Sequence, residues 1–328
     1  WAEASSAASC SAAAAVPNVQ ADGDCAAAPG AAFMEALEAK AAEGADPGSW
    51  WALCRHACPA GRPLYWVLTA PHLESRAVEV LDTWGRHVPR GGLFFFGARG
   101  SSFASKASAR GAKVLRAGPA GAHGVSPRLR ELAVWRHVHD VLPASPWYIK
   151  ADDDTFLLVE NLERYLGSLE PAEPYFLGRR FLSQDVNYTE WTVSGGAGYV
   201  LSHGALALLR GTLERCAALV HRKAPGWRHG GGDTAVGRCL LKAGVEPSDT
   251  RDARLRHRFH VFSHQAHTTS DFGAERRWYW RVSERPRREG AMCCGIDTAV
   301  SFHYMSGMMR DFAWPPASSM SGQAPRAS

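Results

Sequence analysis

Three consecutive aspartates are the strongest chemical signal in the sequence. Asp152, Asp153 and Asp154 follow Ala151 and the mainly apolar segment Trp147–Lys150, whose composition predicts a buried strand. Adjacent carboxylates repel one another, so holding them together at a strand end is costly without a cation. Ligands of open α/β sheets bind beyond the carboxyl ends of the strands, and a hard divalent cation bridging carboxylates and a diphosphate suits that place. The pattern favours a metal site over the alternative, a solvated acidic turn that caps the next helix.

Two glycine-rich segments are further candidates. Residues 192–202 (TVSGGAGYVLS) contain three glycines, and glycine permits positive φ and close approach of the backbone to a ligand. The segment lacks the context of a Rossmann fingerprint or a Walker A motif, and a bulged strand would also explain it. Residues 230–232 are three glycines that precede Asp233. Asp233 is either a helix N-cap or a general base that deprotonates an acceptor hydroxyl.

Histidines and clustered aromatic residues complete the set of candidates. His260 and His303 lie in short apolar runs, where a histidine is more often structural than a ligand. Trp278, Tyr279 and Trp280 are flanked by arginines. If their rings are exposed, they can stack on the apolar face of a sugar; if buried, they belong to the core.

The elements that must position these residues alternate between strands and helices. Strands are predicted over 64–69, 93–96, 113–115, 147–150, 175–178 and 193–201, and helices over 72–87, 126–142, 159–169, 202–219 and 233–243. This alternation predicts an α/β fold with parallel βαβ units.

The composition limits the classes of protein. The 328 residues carry a formal charge of +5, are 46% hydrophobic and include 12 Trp, which excludes collagenous and coiled-coil chains and makes no demand for a nucleic-acid partner. No apolar run is long enough to span a bilayer. Residues 1–61 are Ala-rich and predict a partly disordered stem, 62–312 a folded domain and 313–328 a loose tail.

Eight cysteines leave disulfides and metal ligation open. Cys54 and Cys58, and the adjacent Cys293 and Cys294, could form disulfides or bind zinc. A complete four-ligand zinc spacing is absent, so disulfides in a secretory compartment are favoured.

Several motifs in one order resemble a known family. WYIKADDDTF, EPYFLGRRF, SGGAGYVLS, AGVEPSDTRD, RRWYW and CCGIDTAVSFHY resemble the core 1 β1,3-galactosyltransferase family, which belongs to the β1,3-glycosyltransferase group that includes fringe. The resemblance spans about residues 63–305. It implies a GT-A fold with a mixed, mainly parallel sheet and a Rossmann-like nucleotide half. It also implies a type II Golgi membrane protein with a luminal catalytic domain, whose anchor is expected upstream of this sequence.

The same resemblance implies an activity and roles for single residues. The family transfers galactose from UDP-galactose to the 3-hydroxyl of GalNAc on glycoproteins, with inversion and Mn²⁺. The implied roles are metal binding by Asp152, Asp154 and His260, with His303 as a weaker candidate; nucleotide-sugar binding by Thr69, Asp152 and Asp153; general-base catalysis by Asp233; acceptor binding by Trp278, Tyr279 and Trp280; and a disulfide between Cys216 and Cys239.

The sequence also departs from the family pattern. Gly232 stands where the family usually has Glu, and Tyr65 and His87 stand where it has two cysteines. The alternatives are therefore a fringe-like transferase with another UDP-sugar or acceptor, a catalytically silent chaperone relative, and a sugar-binding module. The three aspartates argue against a silent chaperone. A dedicated chaperone and a homodimeric partner are compatible with the resemblance.

Overall fold

The computed structural model describes most of the predicted folded domain. The described residues are 61–97, 100–115, 126–182, 190–225, 227, 230–269, 277–283, 294–295 and 297–313. The predicted stem, almost all of the predicted tail, Cys54, Cys58 and Cys293 lie outside them. Among the described helices, none is both long and apolar enough to cross a membrane.

Strands and helices follow one another along the described chain. The strands are β1 (Leu64–Leu68), β2 (Leu93–Phe96), β3 (Lys113–Leu115), β4 (Trp147–Asp152), β5 (Phe156–Leu157), β6 (Phe176–Gly178), β7 (Arg180–Leu182), β8 (Trp191–Val193), β9 (Tyr199–Ser202), β10 (Phe259–His260) and β11 (Ser301–Phe302). The helices are α1 (Glu74–Asp82), α2 (Ser101–Ala109), α3 (Pro127–Val141), α4 (Val159–Leu166), α5 (His203–His221), α6 (Gly232–Lys242), α7 (His264–Thr268) and α8 (Arg277–Val282). Two 3₁₀ turns, Pro71–Leu73 and Trp84–Arg86, flank α1.

The main sheet has six strands in the order β3-β2-β1-β4-β9-β6. The first four are mutually parallel, whereas β9 runs antiparallel to both β4 and β6. The predicted α/β class, with the mixed and mainly parallel sheet of the GT-A resemblance, is confirmed. Strands β1 and β4 are adjacent and parallel at the centre of the sheet, so their carboxyl ends lie side by side. Thr69 and the three aspartates lie at these ends.

The central strands are apolar at most positions because both faces of the sheet are covered. Tyr65 and Val67 of β1 pack on the side of α1, α2 and α4, whereas Leu64 and Trp66 pack on the side of α3, α5 and α6. This alternation is the two-residue period of a strand. The sheet thus forms a rigid layer between two apolar cores, and its carboxyl edge is a firm support for a site.

Two local predictions are corrected. The sequence 193–201, predicted as one strand, forms the end of β8 and the start of β9, which belong to different sheets. Between them the chain turns, with the Gly198 N–H donating to the Gly195 carbonyl at 2.9 Å and Gly198 at φ 74°. The helix α2 was not predicted, because among its residues only Phe103 and Ala107 are buried apolar side chains and the periodic signal is correspondingly weak.

A small sheet brings distant parts of the chain to the edge of the main one. Its order is β10-β11-β5, with β10 parallel and β5 antiparallel to β11. Strand β5 lies just after the three aspartates, and β11 ends immediately before His303. The pairing of β5 with β11 therefore places the aspartates beside His303.

The predicted disulfide between Cys216 and Cys239 is present. It joins α5 to α6 across a Cα–Cα distance of 5.9 Å, and both cysteines are fully buried. Cys294 is also disulfide-bonded. The two positions where the family has cysteines instead contact α4: the Tyr65 hydroxyl donates to Glu163 at 3.0 Å, and His87 lies 2.7 Å from Glu160.

Removing the Cys216–Cys239 link is expected to destabilise the protein. The bond closes a loop of 23 residues, and closing a loop of this size restricts the unfolded chain by about 3 kcal/mol. The double variant Cys216→Ala/Cys239→Ala should lose about that much free energy of unfolding in a denaturant titration. An unchanged midpoint, or unchanged intact mass of the parent protein after denaturing reduction, would contradict the assignment.

Candidate active site

The acidic turn is held rigidly at the end of β4. The Thr155 N–H donates to the Asp152 carbonyl at 3.1 Å, and the Asp152 N–H donates to the Thr155 hydroxyl at 3.2 Å. The indole N–H of Trp84 donates to the Thr155 carbonyl at 2.9 Å. The turn is closed by hydrogen bonds between its own residues and is held by Trp84 of a neighbouring element. The backbone that carries the three carboxylates therefore has a fixed position.

Asp152, Asp154 and His303 form one cluster. Each offers a ligand atom, and these atoms lie within 4.8 Å of one another. The His303 Nε2 is 3.2 Å from an Asp154 carboxylate oxygen. The backbone fixes this approach, since the His303 N–H donates to the His260 carbonyl at 3.1 Å and the Met305 N–H to the Asp154 carbonyl at 2.9 Å.

The chemistry of this cluster fits a divalent cation. Two carboxylates and one imidazole are a donor set that Mn²⁺ and related ions accept, and all three side chains are partly exposed, so the remaining positions are open to ligand oxygens. Arg76 on α1 supplies nearby positive charge, with its Nη1 3.3 Å from Asp154 and 3.5 Å from Asp153. Burial acts to raise the pKa of Asp154, but His303 and then Arg76 outweigh it and lower that pKa below its ordinary value. Asp154 therefore stays ionised.

Asp153 has a different environment from its two neighbours. Its carboxylate is buried and accepts a hydrogen bond of 2.6 Å from the Thr69 hydroxyl at the end of β1. Burial raises the pKa of Asp153 to about 6, and the Asp154 and Asp152 charges add to this while Thr69 and Arg76 oppose it. The Thr69 carbonyl in turn accepts from Arg130 at 2.6 Å. Asp153 thus ties the ends of β1 and β4 together beside the cluster.

The resemblance implies His260 as the histidine ligand, with His303 as a weaker candidate. The structure brings His303, and not His260, close to the two carboxylates. His260 pairs with Phe302 in adjacent parallel strands, so their side chains share one face, and the two rings stack at 4.5 Å. The next residue, His303, points to the opposite face because side chains alternate along a strand. The buried His260 lies against Ser301, with its Nδ1 2.9 Å from the Ser301 carbonyl.

The glycine-rich turn between β8 and β9 explains why those residues are glycines. A Cβ on Gly196 would collide with the His303 ring, and a Cβ on Gly195 would lie 2.9 Å from the Asp233 Cβ. The Gly195 N–H donates to an Asp233 carboxylate oxygen at 2.7 Å. The absence of side chains in this turn therefore lets His303 approach Gly196 and Asp233 approach Gly195.

Asp233 lies in the first turn of α6 and is not the N-cap, which is Gly231. Its second carboxylate oxygen accepts from the Thr234 N–H at 2.8 Å. These two backbone hydrogen bonds orient the carboxylate at the amino end of the helix, where the helix dipole favours negative charge. Such a fixed carboxylate can accept a proton from a hydroxyl group.

Sequence reasoning missed a lysine at the centre of the site. Lys150 is 2% exposed, and its Nζ donates to Asp152 at 2.8 Å and to the Gly195 carbonyl at 3.1 Å. Burial alone would lower the pKa of Lys150, but nearby carboxylates, Asp152 first, raise it above its ordinary value. The available signal was a charged residue inside an otherwise apolar strand.

The aromatic segment is only partly described, and its central residue is not an exposed platform. Tyr279 is 1% exposed, contacts Phe181 and Phe262, and has its hydroxyl 2.8 Å from an Arg179 nitrogen. It therefore belongs to the core, contrary to the expectation of an acceptor-contacting ring. The side chains of Trp278 and Trp280 lie outside the described residues. An exposed ring is present beside the cluster: Tyr304, which stacks on His303 at 3.8 Å.

Comparison with known proteins places this site in a family. The sequence matches the family model described as Fringe-like over residues 69–239, just over half of the chain. The chain belongs to the Fringe-like family. The matched range contains Thr69, the three aspartates, the glycine-rich turn and Asp233.

Similar proteins agree with the resemblance read from the sequence. The chain is 31% identical over 255 residues to glycoprotein-N-acetylgalactosamine 3-beta-galactosyltransferase 1 of Xenopus laevis, covering 75% of this chain and 63% of that protein. It is 26% identical to chondroitin sulfate synthase 3 of Mus musculus, covering 54% of this chain and 20% of that protein. The predicted relationship to the core 1 galactosyltransferases is confirmed. The chain spans less than two thirds of these relatives.

Among solved structures, the galactosyltransferase LgtC with donor and acceptor sugar analogues is similar at a TM-score of 0.44 and 11% identity, covering 74% of this chain and 87% of that one. The glycosyltransferase GlyE of Streptococcus pneumoniae has the same TM-score and identity, covering 75% of this chain and 55% of that one.

Proposed function

We propose that this chain is an inverting β1,3-galactosyltransferase that moves galactose from UDP-galactose to the 3-hydroxyl of O-linked GalNAc on glycoproteins. The observation that carries the proposal is the arrangement around one glycine-rich turn. Gly196 lies against His303 of the Asp152–Asp154–His303 cluster, and Gly195 donates to Asp233. The candidate cation site and the candidate base therefore contact the same glycine-rich turn.

The residues divide the work of the transfer. Asp152, Asp154 and His303 would hold the cation, proposed to be Mn²⁺, and a cation bound there would supply positive charge to offset the charge on the leaving UDP. Asp233 takes the proton of the acceptor hydroxyl as that oxygen attacks the anomeric carbon from the face opposite UDP. One base suffices for inversion, because no covalent intermediate is formed.

Donor and acceptor positions follow from the same edge of the sheet. Thr69 and Asp153 lie at the carboxyl ends of the central strands, where nucleotides bind in open α/β sheets, and we assign them to the nucleotide-sugar side. Trp278 and Trp280 remain the proposed acceptor contacts. Tyr279 supports them from the core, since its ring is buried.

The cellular setting is proposed from the relatives. A protein acting on glycoprotein GalNAc belongs in the Golgi lumen. A glycoprotein acceptor, a dedicated chaperone and a homodimer are the proposed protein partners, and nucleic acid is not a partner.

Donor and acceptor identity can be tested directly. UDP release should be measured with Mn²⁺, a panel of UDP-sugars and benzyl-α-GalNAc. Acceptor-dependent turnover with UDP-galactose alone is expected. Turnover with a different donor would replace the proposal by the second candidate, a transferase with another UDP-sugar or acceptor. That candidate is favoured by the similarity to chondroitin sulfate synthase 3 and by Gly232. If the folded protein shows no turnover with any donor and also fails to bind UDP, the result would favour a silent chaperone.

The assignment of the metal histidine has its own test. Loss of a residue that only hydrogen-bonds a metal ligand weakens metal binding by about 10–100-fold. His303→Asn removes a ligand itself, so it should weaken Mn²⁺ binding by at least that much. His260→Asn is the matched control, because asparagine can still donate to the Ser301 carbonyl. Titration calorimetry with Mn²⁺ and UDP measures both. Loss of affinity in His260→Asn but not in His303→Asn would reverse the assignment.

A further inference from the structure

A buried carboxylate outside the assigned machinery lies against Asp233's helix. Glu131 on α3 is 4% exposed. It accepts a hydrogen bond of 2.6 Å from the Tyr199 hydroxyl, which itself accepts one of 2.6 Å from the Trp135 indole. A buried carboxylate is expensive unless it is satisfied, and this one is held by partners from α3 and β9. Its position is therefore well defined.

Gly232 admits Glu131 to the start of α6. A Cβ on Gly232 would collide with the Glu131 carboxylate and would lie 2.5 Å from the Glu131 Cβ. Gly232 is the residue immediately before Asp233. The side chain of Glu131 thus occupies the volume that any side chain at position 232 would need, and it packs directly on the first turn of the helix that carries the candidate base.

Lys150 links this carboxylate to the rest of the site. Its ammonium donates to Asp152 on β4 at 2.8 Å, and the charges of Glu131 on α3 and Asp233 on α6 also act on it electrostatically. Lys150 also donates to the carbonyl of Gly195, whose N–H binds Asp233. A change in charge at Glu131 therefore acts on Asp233 in two ways. It changes the electric field at Asp233 directly, and it changes the position of Lys150 and of the Gly195 backbone that binds Asp233.

We propose that Glu131 is a positioning residue for the transfer step. Its carboxylate lies in the space left by Gly232, offsets the charge of Lys150 and packs on the first turn of α6, and so sets the position of Asp233. This inference rests on the proposed function, in which Asp233 is the base. Without the negative charge of Glu131, the Lys150 ammonium is offset by one carboxylate fewer. Lys150 and the Gly195 backbone that it binds then shift, and the Asp233 carboxylate shifts with them.

The decisive variant is Glu131→Gln, which keeps a hydrogen-bond acceptor for Tyr199 and removes only the charge. Above about pH 7, where Glu131 is ionised, we expect kcat to fall about tenfold, as for loss of a charge acting across a low-dielectric site, while KM for the donor and the affinity for UDP and Mn²⁺ stay unchanged. Glu163→Gln is the matched control, because Glu163 also accepts from a tyrosine hydroxyl, that of Tyr65. A purely structural role would change KM and melting temperature instead, and would overturn the inference.

A glycine variant tests the same contact from the other side. Gly232→Ala should displace the Glu131 carboxylate and lower kcat to a similar degree. Combining it with Glu131→Gln should then cost little more than either change alone, because contacting residues are not additive. Gly211→Ala is the control, since a Cβ there meets nothing within 4 Å. Additive losses in the double variant would show that the two positions act separately.

A readout without activity checks the environment of Glu131. Burial raises its pKa to about 7, with Asp233 and Asp152 adding to this and Lys150 and Tyr199 opposing it. Between the unfolded pKa of 4.5 and the folded pKa of about 7, the folded protein binds a proton that the unfolded chain has released. Wild-type stability relative to Glu131→Gln should therefore fall as the pH rises through this window. A pH-independent difference in melting temperature would overturn the placement of Glu131.

Two patterns of results separate this inference from the proposed function. Full turnover in Asp233→Asn would refute the base itself and with it the mechanism. Loss of turnover in Asp233→Asn combined with unchanged kcat in Glu131→Gln would leave the proposed function standing and refute only the role of Glu131.

Discussion

Asp233→Asn is expected to lower the turnover number by about 10²–10⁴-fold, the range of a general base. The asparagine oxygen can still accept from the Gly195 N–H, which holds the side chain at the start of α6, although the amide nitrogen cannot accept from the Thr234 N–H. It cannot take a proton from the acceptor hydroxyl. Affinity for UDP and Mn²⁺ should change little, because the metal cluster is formed by other residues.

Steady-state kinetics with a saturating donor and titration calorimetry with UDP would measure both quantities. Asp249→Asn is a suitable control, since Asp249 is an exposed aspartate paired with Arg251 at 2.5 Å. Retention of full turnover in Asp233→Asn would remove this residue from the mechanism. A parallel loss of UDP binding would instead show that the substitution had disturbed the metal cluster.

Asp154→Ala is expected to abolish measurable transfer, with a loss of about 10³-fold or more, because charge stabilisation at a leaving group is among the largest catalytic terms. The variant removes a ligand and leaves His303 without its 3.2 Å carboxylate partner. Removing the metal from the parent protein with a chelator should have the same effect, and only in the parent should added Mn²⁺ restore activity.

Asp82→Ala controls for the loss of an aspartate that pairs with arginines, here Arg110 and Arg310. Mn²⁺ binding can be followed by paramagnetic relaxation of solvent water. If Asp154→Ala binds Mn²⁺ as tightly as the parent, the cluster is not the metal site. If chelation leaves transfer unchanged, the reaction does not use a divalent cation.

The central strands were predictable because their signals are local. Runs such as LYWVL and LFFF are apolar at every position, which is what a sheet covered on both faces requires. The chain reversal between β8 and β9 was not predictable in the same way. A continuous strand and two strands separated by a glycine turn share the same local pattern, and only the packing of His303 and Asp233 against Gly196 and Gly195 distinguishes them.

The residues of the site also differ in whether a local sequence signal predicts their position. The three aspartates follow a strand directly, so their place at the edge of the sheet could be read from their neighbours. The choice between His260 and His303 depended on which face of a short strand each occupies, and that parity is set by the pairing of β10 with β11. Glu131 gave no signal, because a glutamate in an amphipathic helix is ordinarily solvent-exposed and only Gly232 makes room for it.

The pairing of β5 with β11 has a consequence for biosynthesis. The aspartates and His303 are separated by almost half of the chain, yet they must meet before the cluster exists. A ribosome-bound chain that has been synthesised through β4 already carries the acidic turn, but it has no partner strand for β5 and no histidine to complete the ligand set. If the proposed cation binds at this cluster, it can therefore stabilise the domain only after β11 and His303 have been synthesised.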